Sequence, residues 1–186
     1  MASMKRRRSA TRRFLPVVLL AALAAAACDL FDNDGRRDAG PAAAASIVMV
    51  ASTDRPAPGE FFDVVFTILS ARDVVSTPFK LRFDPDIIRF EETGSVVGPF
   101  LTSSGGNVVF IATLAGTGQD EVWVALSILG ASAGVDGNGE LCRLRFQVLP
   151  GTTAASASLV PFEAFVLGVG LIQQPVVFPS LTLTLP

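Results

Sequence analysis

From Ser46 onward, apolar and polar side chains alternate with a period of two. In "FFDVVFTIL", Phe62, Val64, Phe66 and Ile68 share one side, opposite Asp63, Val65 and Thr67. Phe79, Leu81 and Phe83 alternate with Lys80 and Arg82. Val108, Phe110, Ala112 and Leu114 alternate with Val109, Ile111 and Thr113, and Val122, Val124, Leu126 and Ile128 with Trp123, Ala125 and Ser127. Cys142, Leu144, Phe146 and Val148 alternate in the same way with Arg143, Arg145 and Gln147. Each run predicts a strand with one buried face. Turn formers separate the runs: Ala57-Pro58-Gly59, Ser104-Gly105-Gly106-Asn107, Asp136-Gly137-Asn138-Gly139 and Pro150-Gly151. Asp84-Pro85-Asp86 is expected to start a short helical turn, and no other stretch is. Eight or nine strands without a long helical segment predict an all-β, antiparallel sandwich over residues 46–186.

The first 45 residues follow another pattern. Six bases (Lys5, Arg6, Arg7, Arg8, Arg12, Arg13) precede a 14-residue apolar run, Phe14 to Ala27. A bilayer span takes about 20 apolar residues, so residues 1–27 read as a secretory signal. Ala25-Ala26-Ala27-Cys28 resembles the lipobox of bacterial lipoproteins, with Ala25 where a leucine is usual. That resemblance implies cleavage between Ala27 and Cys28 and lipidation of Cys28; ordinary signal cleavage is the competing reading. Several acyl chains, each methylene worth about 0.8 kcal/mol, would anchor the chain stably. The implied location is the cell envelope, as a membrane-anchored lipoprotein on a periplasmic or extracellular face. Residues 28–45, acidic and then rich in Gly, Pro and Ala, read as a tether.

Charge follows the same division. With six bases in the signal, nine of the fifteen remain against seventeen acids, a net charge of −8. Such a chain lacks the basic surface that nucleic-acid binding needs, so no nucleic-acid partner is expected. There is no histidine, which removes the usual general base of Ser-His-Asp and Cys-His mechanisms and the commonest zinc ligand. The local pairs Asp84/Asp86 and Glu91/Glu92 sit where a strand end and a turn call for acids anyway. No catalytic residue, metal site or cofactor is assigned. Asp136, Asn138 and Glu140 alternate as calcium ligands could, but Asn138-Gly139 is a strong turn dipeptide, and a hairpin turn is the expectation. Cys142 is expected to be a small buried hydrophobe without a disulfide partner.

Three motifs carry a family likeness. "APGEFFDVVFTI", "FKLRFDPDIIRFEE" and "GVDGNGELCRLRFQVLPG", in that order and spacing, resemble the cohesin domain over about residues 46–186. The resemblance implies a nine-stranded jelly-roll sandwich, related to the cellulose-binding modules of polysaccharide-degrading systems. It also implies a sheet face that, in cellulosomes, holds dockerin-bearing enzymes. The asparagine and aspartate that take part in dockerin recognition in the best-known class fall here on Ser76 and Pro78, and proline offers no carboxylate.

In that arrangement the strands around residues 79–83, 107–114 and 121–128 share a sheet. Its outer face would carry Lys80, Arg82, Val109, Ile111, Thr113, Trp123, Ala125 and Ser127. These mark a partner-binding or glycan-binding face, with Trp123, Lys80, Arg82, Val109 and Ile111 as candidates. Trp123 fits a protein hot spot, stacking on a sugar ring, or a position covered by a neighbouring loop. On the other sheet Asp63 is expected to pair with Arg143 or Arg145. The function implied is a non-enzymatic, lipid-anchored adaptor binding an envelope or secreted protein, with polysaccharide binding as the alternative.

Overall fold

The computed structural model describes residues 44–186. The signal, the cleavage and lipidation positions Ala27 and Cys28, and the tether up to residue 43 lie outside the described residues. Nine strands have four residues or more: β1 (Ala45–Ala51), β2 (Phe61–Ser76), β3 (Phe79–Arg82), β4 (Ile88–Val97), β5 (Asn107–Ala115), β6 (Glu121–Leu129), β7 (Val135–Val148), β8 (Ser156–Phe162) and β12 (Leu181–Thr184). Three short segments complete the set: β9 (Val166–Gly168), β10 (Gln173–Gln174) and β11 (Val176–Val177).

The back sheet runs β1-β2-β7-β4, all antiparallel, with β11 added parallel to β1. The front sheet runs β5-β6-β3-β8, and β12 pairs with β8. β2 belongs to both sheets. Its first part pairs with β7, whereas Ser76 at its end lies opposite Ser127 of β6. The sheets close over the faces that the alternation marked: Phe62, Val64, Phe66, Ile68, Phe79, Leu81, Val122, Leu126, Leu144 and Phe146 are all buried. Phe66 stacks on Phe79 with ring centres 5.2 Å apart, and Phe178 meets Phe79 edge-on at 5.4 Å. Cys142 is buried among them and unpaired, and burial pushes its thiol pKa up.

Two local expectations are corrected. Asp84-Pro85-Asp86 does start a single turn, closed by the amides of Ile87 and Ile88 donating to the Asp84 carbonyl, but it is not the only stretch to do so. The one α-helical turn among the described residues is α1 (Pro99–Thr102). Gly98 enters it extended, Pro99 stands at its start, where a missing N–H costs nothing, and Phe100 and Leu101 are buried. The second correction concerns residues 136–139, which lie inside β7 and form no hairpin turn. Opposite them β2 bulges, with Ser70 and Asp73 at positive φ (56° and 50°). The amide of Ser70 donates to Asn138 Oδ1 at 2.7 Å, and that of Asp73 to Asp136 Oδ1 at 2.6 Å. Two of the three side chains that resembled calcium ligands, Asp136 and Asn138, are thus occupied with backbone donors at the bulges, and the third, Glu140, pairs with Arg143.

Candidate functional site

The front sheet presents a row of four directly paired residues. Thr113 of β5 faces Trp123 of β6, Trp123 faces Lys80 of β3, and Lys80 faces Phe162 of β8. All four point outward, because each strand's alternate positions are already in the core. Lys80 Nζ lies 4.3 Å from the centre of the indole and 5.7 Å from the centre of the Phe162 ring. One register step along, the Arg82 guanidinium carbon stands 4.7 Å from the centre of the same phenyl ring. Rings and cations therefore interleave across three strands.

Two acids hold the cations in place. Glu163 pairs with Lys80. Glu121 accepts from Arg82 Nη2 at 2.6 Å through one oxygen and from the Trp123 indole N–H at 3.0 Å through the other. The Arg82 and Trp123 hydrogen bonds hold the Glu121 carboxyl below the usual glutamate range, and the bond to Glu121 raises Arg82 in turn. The indole is fixed in plane by its own hydrogen bond while 46% of its residue surface stays open. Of the three readings of Trp123, coverage by a loop is not what the structure adopts.

Beside the indole lies an open depression of about 350 Å³, lined by Pro78, Ile111, Thr113, Trp123, Ala125 and Phe165 among others. Its floor is mostly apolar, with Lys80 and Glu163 at one rim. Ile111 is exposed next to Ala125, its cross-strand partner. Val109 sits two residues further along β5 opposite Ser127, half-buried. The structure thus brings Trp123, Lys80, Arg82 and Ile111 onto one surface and places Val109 at its margin. Sequence reasoning left out Glu121, Phe162, Glu163 and Phe165. A signal existed for Phe162: in "SASLVPF" the inward set Ala157, Leu159 leaves Ser158, Val160 and Phe162 outside. Phe165 carried none, since its amide reaches the Pro78 carbonyl only through the chain's return past β3.

The ion pairs of the back sheet are separate from this face. Arg145 Nε donates to Asp63 at 2.8 Å, and that bond raises the arginine's pKa, whereas Arg143 turns to Glu140. Among the described residues no cluster of three metal-ligating side chains occurs.

No protein-family model and no curated protein matches the sequence. Solved structures do. A non-cellulosomal cohesin from the archaeon Archaeoglobus fulgidus superposes with a TM-score of 0.59 at 20% identity, covering 77% of this chain and 92% of that one. A type II cohesin domain from the cellulosome of Acetivibrio cellulolyticus gives 0.61 at 12% identity, over 75% and 95% of the two chains. A type I cohesin–dockerin complex from Clostridium thermocellum gives 0.59 at 13%, over 77% and 95%. The chain has the cohesin fold. On this fold the positions that align with the dockerin-reading asparagine and aspartate, expected to argue against such recognition, are Ser76 and Pro78. Ser76 is buried, its hydroxyl 2.6 Å from that of Ser127, and Pro78 lines the depression.

Proposed function

We propose that this protein is a non-enzymatic interaction module, held at the cell envelope by a lipid on Cys28, that docks a protein partner on the front-sheet face. The observation that carries the reading is the rigid Trp123–Lys80–Phe162 row beside an open apolar depression. Interfaces favour this combination of a preoriented aromatic, cations and a desolvatable floor. Strands fix these side chains before any partner arrives, so docking orders little further. Cohesin-fold neighbours solved as complexes with dockerins lend support to a protein partner. Ser76 and Pro78 set this chain apart from recognition through an asparagine and an aspartate, so the partner reads another chemistry: an apolar anchor for the depression, with an acidic group for the Lys80/Arg82 rim.

The polysaccharide reading draws on a specific observation too, the gathering of Trp123, Phe162 and Phe165 on one face. It is the weaker of the two, because Lys80 and Arg82 lie over the rings on which a sugar would stack.

The test is a photo-crosslinking residue at Ile111 in the full chain in intact cells, with a second at Val50 on the back sheet. A discrete protein adduct from position 111 alone, lost in Trp123→Ala, is the expected result. Retention of the full chain on cellulose, chitin or peptidoglycan that vanishes with Trp123→Ala would replace the protein reading with the glycan one.

A further inference from the structure

The two ends of the sandwich differ in chemistry. At one end the connections carry Asp54, Arg55 and Glu60, then Asp84 and Asp86, then Asp120 beside Glu121. At the other end lie residues 98–106, 129–134 and 168–175, and these contain no charged residue at all. The pairings that place them together are Asn107 with Leu129, Val74 with Val135 and with Gly168, and Val97 with Cys142.

This end also carries the two most exposed large apolar residues among those described. Leu171 is 71% exposed, Ile172 69% and Leu129 54%. Leu171 sits at φ 60°, a conformation a bulky side chain rarely adopts, directly after Gly170 at φ 74°. The turn is held from both sides: the Gly168 amide donates to the Ile172 carbonyl at 2.8 Å, and the Val169 amide to Asp73 Oδ2 at 3.2 Å. The neighbouring acids do not oppose an apolar surface freely. Asp73 also accepts from the Gly134 amide at 2.9 Å, and Asp136 is engaged by the Asp73 amide. The cation at this end is Arg72, whose carbonyl accepts from Gln174.

The polypeptide enters the domain at this same end. The Ala45 amide donates to the Pro175 carbonyl at 3.2 Å, three residues beyond Ile172, so the entry point and the apolar turn lie within ~15 Å of each other. Sixteen residues, 29–44, separate Cys28 from Ala45 and reach at most ~60 Å when fully extended. We infer that the turn carrying Leu171 and Ile172 inserts into the lipid surface to which the chain is anchored, holding the end with the uncharged connections toward the membrane and the opposite end away from it. The inference rests on the lipid-anchor reading given above. A lipid anchor supplies the proximity, and a second, weak apolar contact then suffices to fix orientation.

The test uses the acylated full-length protein in vesicles of phosphatidylethanolamine and phosphatidylglycerol. An environment-sensitive fluorophore is attached at Ile172→Cys, with Thr153→Cys at the opposite end as the control; Cys142 is buried and does not compete for label. Flotation with the vesicles reports the anchor independently of the probe. The expected result is flotation of both proteins, with a blue shift and quenching by spin-labelled lipid at position 172 only. A protein that floats while position 172 keeps its aqueous emission overturns the inference and leaves the anchor standing. A protein that does not float overturns both. An unlabelled variant with Leu171→Gly and Ile172→Ser, in which glycine suits the positive φ, should still float but lose the amide I infrared dichroism of the oriented wild-type domain on a supported bilayer. Unchanged dichroism in that variant would also count against insertion.

Discussion

The ammonium of Lys80 lies 4.3 Å from the centre of the Trp123 indole, and the two residues are direct cross-strand partners in β3 and β6. Cation and ring are therefore held by backbone register and not by side-chain chance. A double-mutant cycle with Lys80→Met and Trp123→Leu should show a coupling of about 0.5–1 kcal/mol in folding stability, the range for a partly exposed cation–π pair. Urea denaturation of the four proteins measures it, and additive effects would mean that the contact contributes nothing.

Glu121 links the same indole to Arg82, and its carboxyl is held below the ordinary glutamate range, first by the Arg82 hydrogen bond and then by that from Trp123. A group with a depressed folded-state pKa stabilises the fold above its unfolded pKa of about 4.3, and that stabilisation disappears as pH falls through the lower folded value. Glu121→Gln should therefore cost stability at pH 7 and little at pH 2–3. A difference from wild type that grows toward acid would contradict this.

Gly98 and Gly134 stand where a Cβ would strike backbone: the Glu140 carbonyl in the first case, the Asp73 carbonyl in the second. Backbone cannot swing aside as a long side chain can. Gly98→Ala and Gly134→Ala should each destabilise by about 1–3 kcal/mol, as overpacked sites do. Gly105→Ala, with open space around it but φ 72°, tests the opposite case, in which only conformational strain counts, at about 1 kcal/mol.

Asn138 accepts the Ser70 amide at the β2 bulge. Asn138→Ala leaves that donor without a protein partner and should cost about 0.5–1.5 kcal/mol, with faster amide exchange at Ser70. Exchange unaffected at Ser70 would show that water replaces the carboxamide without loss.

Cys142 is fully enclosed, and its thiol pKa is pushed up by burial. Iodoacetamide at pH 8 should leave it unmodified in the native protein, the reaction proceeding only at the rate of unfolding. Rapid alkylation under native conditions would place the thiol at the surface.

The period-two alternation was enough to determine the sandwich and which face of each long strand lies inside, because burying one face of a strand is a local, periodic demand. Phe62 to Ile68 and Cys142 to Val148 went into the core as the pattern required. The same alternation turned Trp123, Lys80 and Ile111 outward on their own strands, but that β5, β6 and β3 lie side by side was implied only by the cohesin resemblance, and their register is set by the pairing itself. The role of residues 136–139 was not legible, because Asn-Gly promises a turn only if no neighbouring strand claims it. The bulges of β2 at Ser70 and Asp73 made that claim from more than sixty residues away. Glu163 and Phe165 joined the face for a similar reason: their place is set by where the chain returns past Pro78, a long-range contact with no periodic signature. What one strand needs of its own faces is written in its sequence; which distant backbone group its side chains meet is decided only when the sheets close.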